Sequence, residues 1–188
     1  DGLGGEIEDE EPTTMPLEDG AASELALFND TAWQEFVAAS ASPLFETPIV
    51  HFLVRAFAAD GMDEVMAHMT LIEAAVGLQA DHRWKAKSDA HKTLGATQRV
   101  KARIAALLGD VQAAIDYGDL FELRSAYVHG RGGLSKVSTQ EQVRARGLAR
   151  RVTSALVGLS AHGCRPRDEV LAELLDRGAP MLPASPGP

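Results

Sequence analysis

The sequence predicts an all-α protein, a helical bundle with short connections. Three observations carry that prediction. Apolar residues recur at spacings of three and four, as in Val100, Ile104, Leu107 and Leu108, which places them on one face of a helix. No run alternates apolar and polar residues over more than a few positions, so no strand pattern competes. Glycines, prolines and capping residues fall between the periodic stretches, where helices must stop and start. At 188 residues the chain can bury a core as one domain without disulfides or metals.

The elements follow in order. Residues 1–22 are acidic and rich in Gly, Pro and Thr (Glu6, Glu8, Asp9, Glu10, Glu11, Pro12). They carry too little apolar surface to offset ordering entropy, so a flexible segment is expected. A first helix is expected from Ser23, with Leu27, Phe28, Trp33, Phe36 and Val37, ending before Pro43. Thr47-Pro48 opens a second, threonine as N-cap and proline in the first turn. It carries Ile49, Phe52, Leu53 and Phe57 and stops before Gly61. Asp63 is the expected cap of a long third helix reaching Gln79, with Met66, Met69, Ile72, Ala75 and Val76 inward. Residues 81–95 are polar and basic and read as a loop or lid. A fourth helix is expected over 96–108, with Gly109 as its C-cap. A fifth is expected over 111–128. Ser138 with Glu141 signals a capping box and a sixth helix to about Ala161. Pro166 opens a last helix with Val170, Leu171, Leu174 and Leu175. From Gly178 to Pro188 the chain is Pro/Gly-rich, and a disordered tail is expected. The domain is therefore drawn over 23–177, between the acidic segment and the tail of 178–188. No internal repeat at a solenoid period is present.

Composition narrows the function classes. The one cysteine, Cys164, excludes an intrachain disulfide and a cysteine metal cluster. With a reducing compartment this fits a cytoplasmic protein. The longest apolar stretches fall far short of the ~18–20 residues of a membrane-spanning helix, so no membrane partner is expected. The first residues have neither a basic nor an apolar signal region, and the absence of an initiator methionine suggests a trimmed chain or part of a longer parent protein. Charge is unevenly distributed. Residues 83–167 hold 16 of the 18 lysines and arginines with six acids, a net of +10, against −9 for the whole chain. Such asymmetry points to an acidic partner for the middle of the chain, most simply RNA or another nucleic acid.

The segment that carries chemistry is Leu123-Arg124-Ser125-Ala126-Tyr127-Val128-His129-Gly130, at a helix end before the glycines 130, 132 and 133. A guanidinium matches phosphate geometry and stays charged. An imidazole can move a proton near neutrality. On an ideal helix Arg124 and His129 stand about 140° apart, so they do not share a face, whereas Ser125 and His129 do. Glu73, in an otherwise apolar helical stretch, needs a cationic partner if it is buried, and a motif arginine is available. Tyr127 suits base stacking, core packing or a subunit interface. Trp84, amid Arg83, Lys85 and Lys87, suits an aromatic-basic nucleic-acid contact and equally a tryptophan that pins its loop to the bundle. Lys101, Arg103 and Arg131 are candidate RNA contacts on charge. A serine nucleophile at Ser125 lacks an identifiable carboxylate to orient the imidazole. The remaining histidines form no spaced metal-ligand set, and no cofactor motif is present.

Those motif residues resemble the signature of HEPN domains, most closely the Apea-like branch. Leu71-Ile72-Glu73-Ala74-Ala75 resembles the acidic position in an earlier helix of that branch. The resemblance covers residues 45–165. Many HEPN proteins carry Asn, Asp or His directly after the arginine, where this chain has Ser125. The resemblance implies a metal-independent endoribonuclease acting in defence, stress or toxin-type responses. Arg124 and His129 would be its catalytic pair, and products would be 2′,3′-cyclic phosphates and 5′-hydroxyls. It also implies a homodimer with facing motif helices, in which one chain's Arg124 serves its partner's His129, and an antitoxin is a further expected partner. The alternatives are a catalytically silent HEPN module for RNA binding or dimerisation, and a helical interaction domain of a larger protein.

Overall fold

The structure, a computed structural model, describes residues 29–83, 89–130, 137–161, 163 and 165–183. Among them are seven α-helices and no strand, so the chain is an all-α helical bundle. The helices are α1 (Asp30–Ser40), α2 (Ile49–Phe57), α3 (Gly61–Val76), α4 (Ala96–Leu108), α5 (Val111–Val128), α6 (Thr139–Ser160) and α7 (Arg167–Gly178). Short 3₁₀ turns lie at Pro43–Phe45, Gln79–His82 and Ala179–Met181. Residues 35–188 form one compact unit, distinct from 1–34. The expected flexible segment 1–22 and the expected helix start at Ser23 lie outside the described residues. No helix among the described residues is long and apolar enough to cross a membrane.

α3 is the central helix. Val65, Met69, Leu71, Ile72 and Val76 are fully buried on it, and α2, α4, α5 and α6 pack around it. α4 packs chiefly on α7 and α5. Local chemistry explains most boundaries. Gly109 ends α4 in the left-handed region, φ 60°, which glycine adopts without a Cβ clash. The Ser138 hydroxyl accepts from the Glu141 N–H at 3.2 Å, and the Glu141 carboxylate accepts from the Ser138 N–H at 2.7 Å. That is the capping box the sequence predicts for α6.

Four boundaries differ from expectation. Pro48, not Thr47, takes the N-cap position of α2, and the Thr47 hydroxyl instead donates to the Ala74 carbonyl at 2.8 Å, tying the helix start to α3. α3 is capped by Asp60, whose carboxylate accepts from the Gly61 N–H at 2.7 Å, and not by Asp63, which lies within the first turn. It ends at Val76 rather than Gln79, because Gly77 turns extended and the chain enters the 3₁₀ turn that delivers Asp81. Gly178 belongs to α7 and is buried, and the 3₁₀ turn after it packs on α4, so the chain is ordered where the tail is expected to start; the rest of that expectation, residues 184–188, lies outside the described ones.

Two buried charged clusters fix the helices. Arg103 on α4 is 1% exposed and grips Asp81 with both Nη atoms. Its remaining donors reach the carbonyls of Leu171 at 3.0 Å and Val76 at 3.1 Å, tying α4 to α7 and to the end of α3. Burial, the largest single influence, would raise the Asp81 carboxyl, but the Arg103 hydrogen bonds, the Leu78 N–H and the Arg103 and Arg99 charges together outweigh it and hold the group below its ordinary value. The second cluster joins α3 to α6. Arg146 Nε donates to the buried Glu64 carboxylate at 2.9 Å, its Nη2 lies 2.7 Å from the same oxygen, and His68 Nε2 lies 3.4 Å from that carboxylate.

His68 is 4% exposed, and among the described residues its Nδ1 has no hydrogen-bond partner. Burial lowers its pKa, and Arg146 and Arg150 add to that, against the pull of Glu64. The unfolded chain therefore takes up a proton that the folded chain refuses. Stability is complete above the ordinary value of 6.5 and falls as pH drops below it. Urea denaturation at about pH 7.5 and 5.5 is expected to show a loss on acidification that His68→Leu reduces. An identical loss in the variant would sink the assignment.

Candidate functional site

Tyr117 and Arg124 stand seven residues apart on α5, within about 20° of each other around the axis. Both therefore face α3, and both meet Glu73. Arg124 Nη1 donates to Glu73 Oε1 at 2.6 Å, and the Tyr117 hydroxyl approaches the same oxygen at 3.4 Å. Glu73, only partly buried, thus pairs with the motif arginine. Side chains of the ion pair are 32% and 28% exposed, so the pair positions Arg124 more than it stabilises the fold, contributing about 1 kcal/mol or less. Tyr117 is 1% exposed. Burial first, then the Glu73 charge, push its phenol far above its ordinary value, with Arg124 opposing. It remains a neutral O–H donor.

His129 is the C-cap of α5, with φ −93° and ψ 5°. Its backbone N–H donates to the Ser125 carbonyl at 3.0 Å, which closes the last turn. Its side chain is exposed and makes no hydrogen bond to another described residue. Arg124 and His129 are not hydrogen-bonded to each other within one chain: Arg124 is turned to Glu73 on α3, and His129 is exposed. Ser125 is half-buried between them. Tyr127 is 48% exposed and Val128 57%, so neither is core. Gly130, at φ 62°, turns the chain away.

The charge-based RNA contacts fare differently. Arg103 cannot meet RNA in this fold, since its guanidinium is buried and fully engaged; the sequence shows its charge but not its burial. Lys101 is half-buried, with its aliphatic chain laid across α5 so that a Cβ at Gly118 would stand 3.0 Å from Nζ. Trp84 and Arg131 lie outside the described residues. Several arginines of the basic middle are also paired with carboxylates of the chain itself. Arg99 pairs with Asp89, Arg144 with Asp116 and Asp119, Arg151 with Asp110 and Arg165 with Glu173. Arg150 lies over the Phe57 ring, 5.7 Å from its centroid.

Sequence reasoning missed Tyr117 and Arg167. Tyr117 had a signal, its seven-residue spacing from Arg124. Arg167 had none, because its partners are backbone carbonyls at the end of α3. Among the described residues, no group of three or more metal-ligating side chains is assembled. Comparison with family models, with curated proteins and with solved structures finds no match.

Proposed function

We propose that the chain is a HEPN-like, metal-independent endoribonuclease whose reacting groups are Arg124 and His129. The observation that carries the reading is the Glu73–Arg124 pair, which fixes the motif arginine beside a helix end where the His129 imidazole stands open. His129 removes the proton from a ribose 2′-hydroxyl. The oxygen attacks the adjacent phosphorus, the 5′-oxygen leaves and takes up a proton, and a 2′,3′-cyclic phosphate and a 5′-hydroxyl result. Arg124 stabilises the charge gathering on the phosphoryl oxygens. Because the two side chains diverge within a chain, the working site needs two chains. Facing α5 ends would cover Tyr127 and Val128 and bring one Arg124 to the partner subunit's imidazole.

RNA incubated in EDTA with wild type, Arg124→Ala and His129→Ala tests this. Wild type is expected to leave cyclic phosphate ends, and each variant to lose about 10²-fold or more in rate. Equal rates in all three would end the assignment. A second reading, a silent module for RNA binding or dimerisation, draws on the internal pairing of the arginines. Its mark is a folded, dimeric wild type that cleaves no RNA.

A further inference from the structure

The end of α3, the first turns of α4 and α7 and the middle of α5 enclose a cleft of about 610 Å³. That is within the ~300–1,000 Å³ range of small-molecule sites. Part of its lining is apolar, from Leu78, Val100 and Phe121, and part polar, from Thr47, Gln79 and Thr97. The charged lining is mixed: Arg83 and Arg167 with Glu46, Glu73 and Asp168. Neither Arg124 nor His129 lines it.

Arg167 is the unusual member. It is 6% exposed, and its Nη2 donates to the carbonyls of Ala74 at 2.7 Å, Ala75 at 3.1 Å and Gly77 at 3.0 Å. These satisfy the open carbonyl end of α3. They do not neutralise the guanidinium. Among the described residues no carboxylate pairs with it, and its buried Nε has no acceptor. The other deeply buried arginines among the described residues, Arg99 and Arg103, each hold a carboxylate. A buried unpaired cation with an unused donor is costly unless an anion completes it. Arg83, exposed and bonded only to the neutral Gln79 amide at 2.8 Å among the described residues, adds a second cation to the lining.

We propose that this cleft binds a mononucleotide, with its phosphate between Arg167 and Arg83. The base packs against Phe121 and Val100, and sugar hydroxyls or an exocyclic amine donate to Glu46 or Asp168. A bare anion would leave the apolar wall and the carboxylates without a role, whereas a nucleotide uses all three surfaces. The site does not rest on the nuclease reading. It does touch it: Glu73 lines the cleft and also holds Arg124, so an occupant contacts the carboxylate that positions the motif arginine.

Isothermal titration of the full chain with AMP, adenosine and inorganic phosphate tests the proposal. AMP is expected to bind saturably in the micromolar to sub-millimolar range, at least about tenfold more tightly than either fragment. Arg167→Ala removes the α3 cap and endangers the fold, so two other variants serve. Arg83→Glu, at an exposed position, is expected to weaken AMP at least about tenfold. Thr97→Trp, which fills the cleft, is expected to abolish binding, with circular dichroism showing both variants folded. No saturable AMP binding to about 10 mM overturns the site. So does AMP affinity unchanged in Arg83→Glu, or phosphate binding as tightly as AMP. RNA cleavage is unnecessary to any of these readouts, so loss of the nuclease assignment would leave this result standing.

Discussion

Arg103→Met is expected to destabilise the protein by about 3–5 kcal/mol, the cost of leaving a buried carboxylate without its partner. Asp81 is 4% exposed and its position is set by the 3₁₀ turn after α3. Methionine fills much of the arginine volume but supplies no donor. Two further acceptors, the Val76 and Leu171 carbonyls, lose their bonds at once. Arg99 stands 3.9 Å from Asp81 and is itself held by Asp89, so it relieves only part of the loss. Chemical denaturation followed by circular dichroism gives the value. Pairing the change with Asp81→Leu is expected to recover much of the stability, because an apolar pair leaves no orphaned charge. A loss below about 1 kcal/mol in the single variant would show that water or Arg99 replaces the bridge. The acid limb of the wild type has the same origin. The Asp81 carboxyl sits below its ordinary 3.8 when folded, so its contribution is complete above that value and disappears as pH falls through the folded one.

Gly178→Ala is expected to cost at least about 1–3 kcal/mol, for a different physical reason. Gly178 has ordinary right-handed helical angles, φ −88° and ψ −27°, so no conformational need for glycine exists. The need is contact. A Cβ at this position would stand 1.8 Å from the Ala102 carbonyl oxygen and 2.5 Å from its carbon. Both are backbone atoms inside α4, and no rotamer change moves them. Only separation of α4 and α7 makes room, and that loosens the pair that Arg103 also joins. Gly147, exposed on α6 with nothing within 4 Å of a built Cβ, is the control. Alanine there is expected to raise stability by about 0.5–1 kcal/mol. Thermal denaturation that finds both variants alike would remove the steric account.

These two positions also mark how far the sequence could be read. Periodicity and caps placed the helices because those signals are local: Gly109 and the Ser138–Glu141 box act within one turn of their own chain. The pairing of Glu73 with Arg124 was also within reach, since a carboxylate in an apolar stretch demands a base and the motif offered one. Gly178 read as the start of a tail, because a glycine chosen for close helix contact has the same letter as one chosen for flexibility. Arg103 read as a nucleic-acid contact, because charge is visible in a sequence and burial is not. Its partner, Asp81, lies 22 residues back in a stretch that read as a loop.

The internal pairing of the arginines has a consequence for any polyanion that meets this surface. A solvated arginine at a nucleic-acid site lets phosphate displace bulk ions, and the entropy of their release drives binding. An arginine already matched to a carboxylate offers little of that. RNA reaching Arg144 or Arg151 would exchange one ion pair for another and set free few ions. Electrostatic capture at these paired arginines is therefore weak, and any contact falls to cations that hold no carboxylate among the described residues, such as Arg83 beside the Gln79 amide.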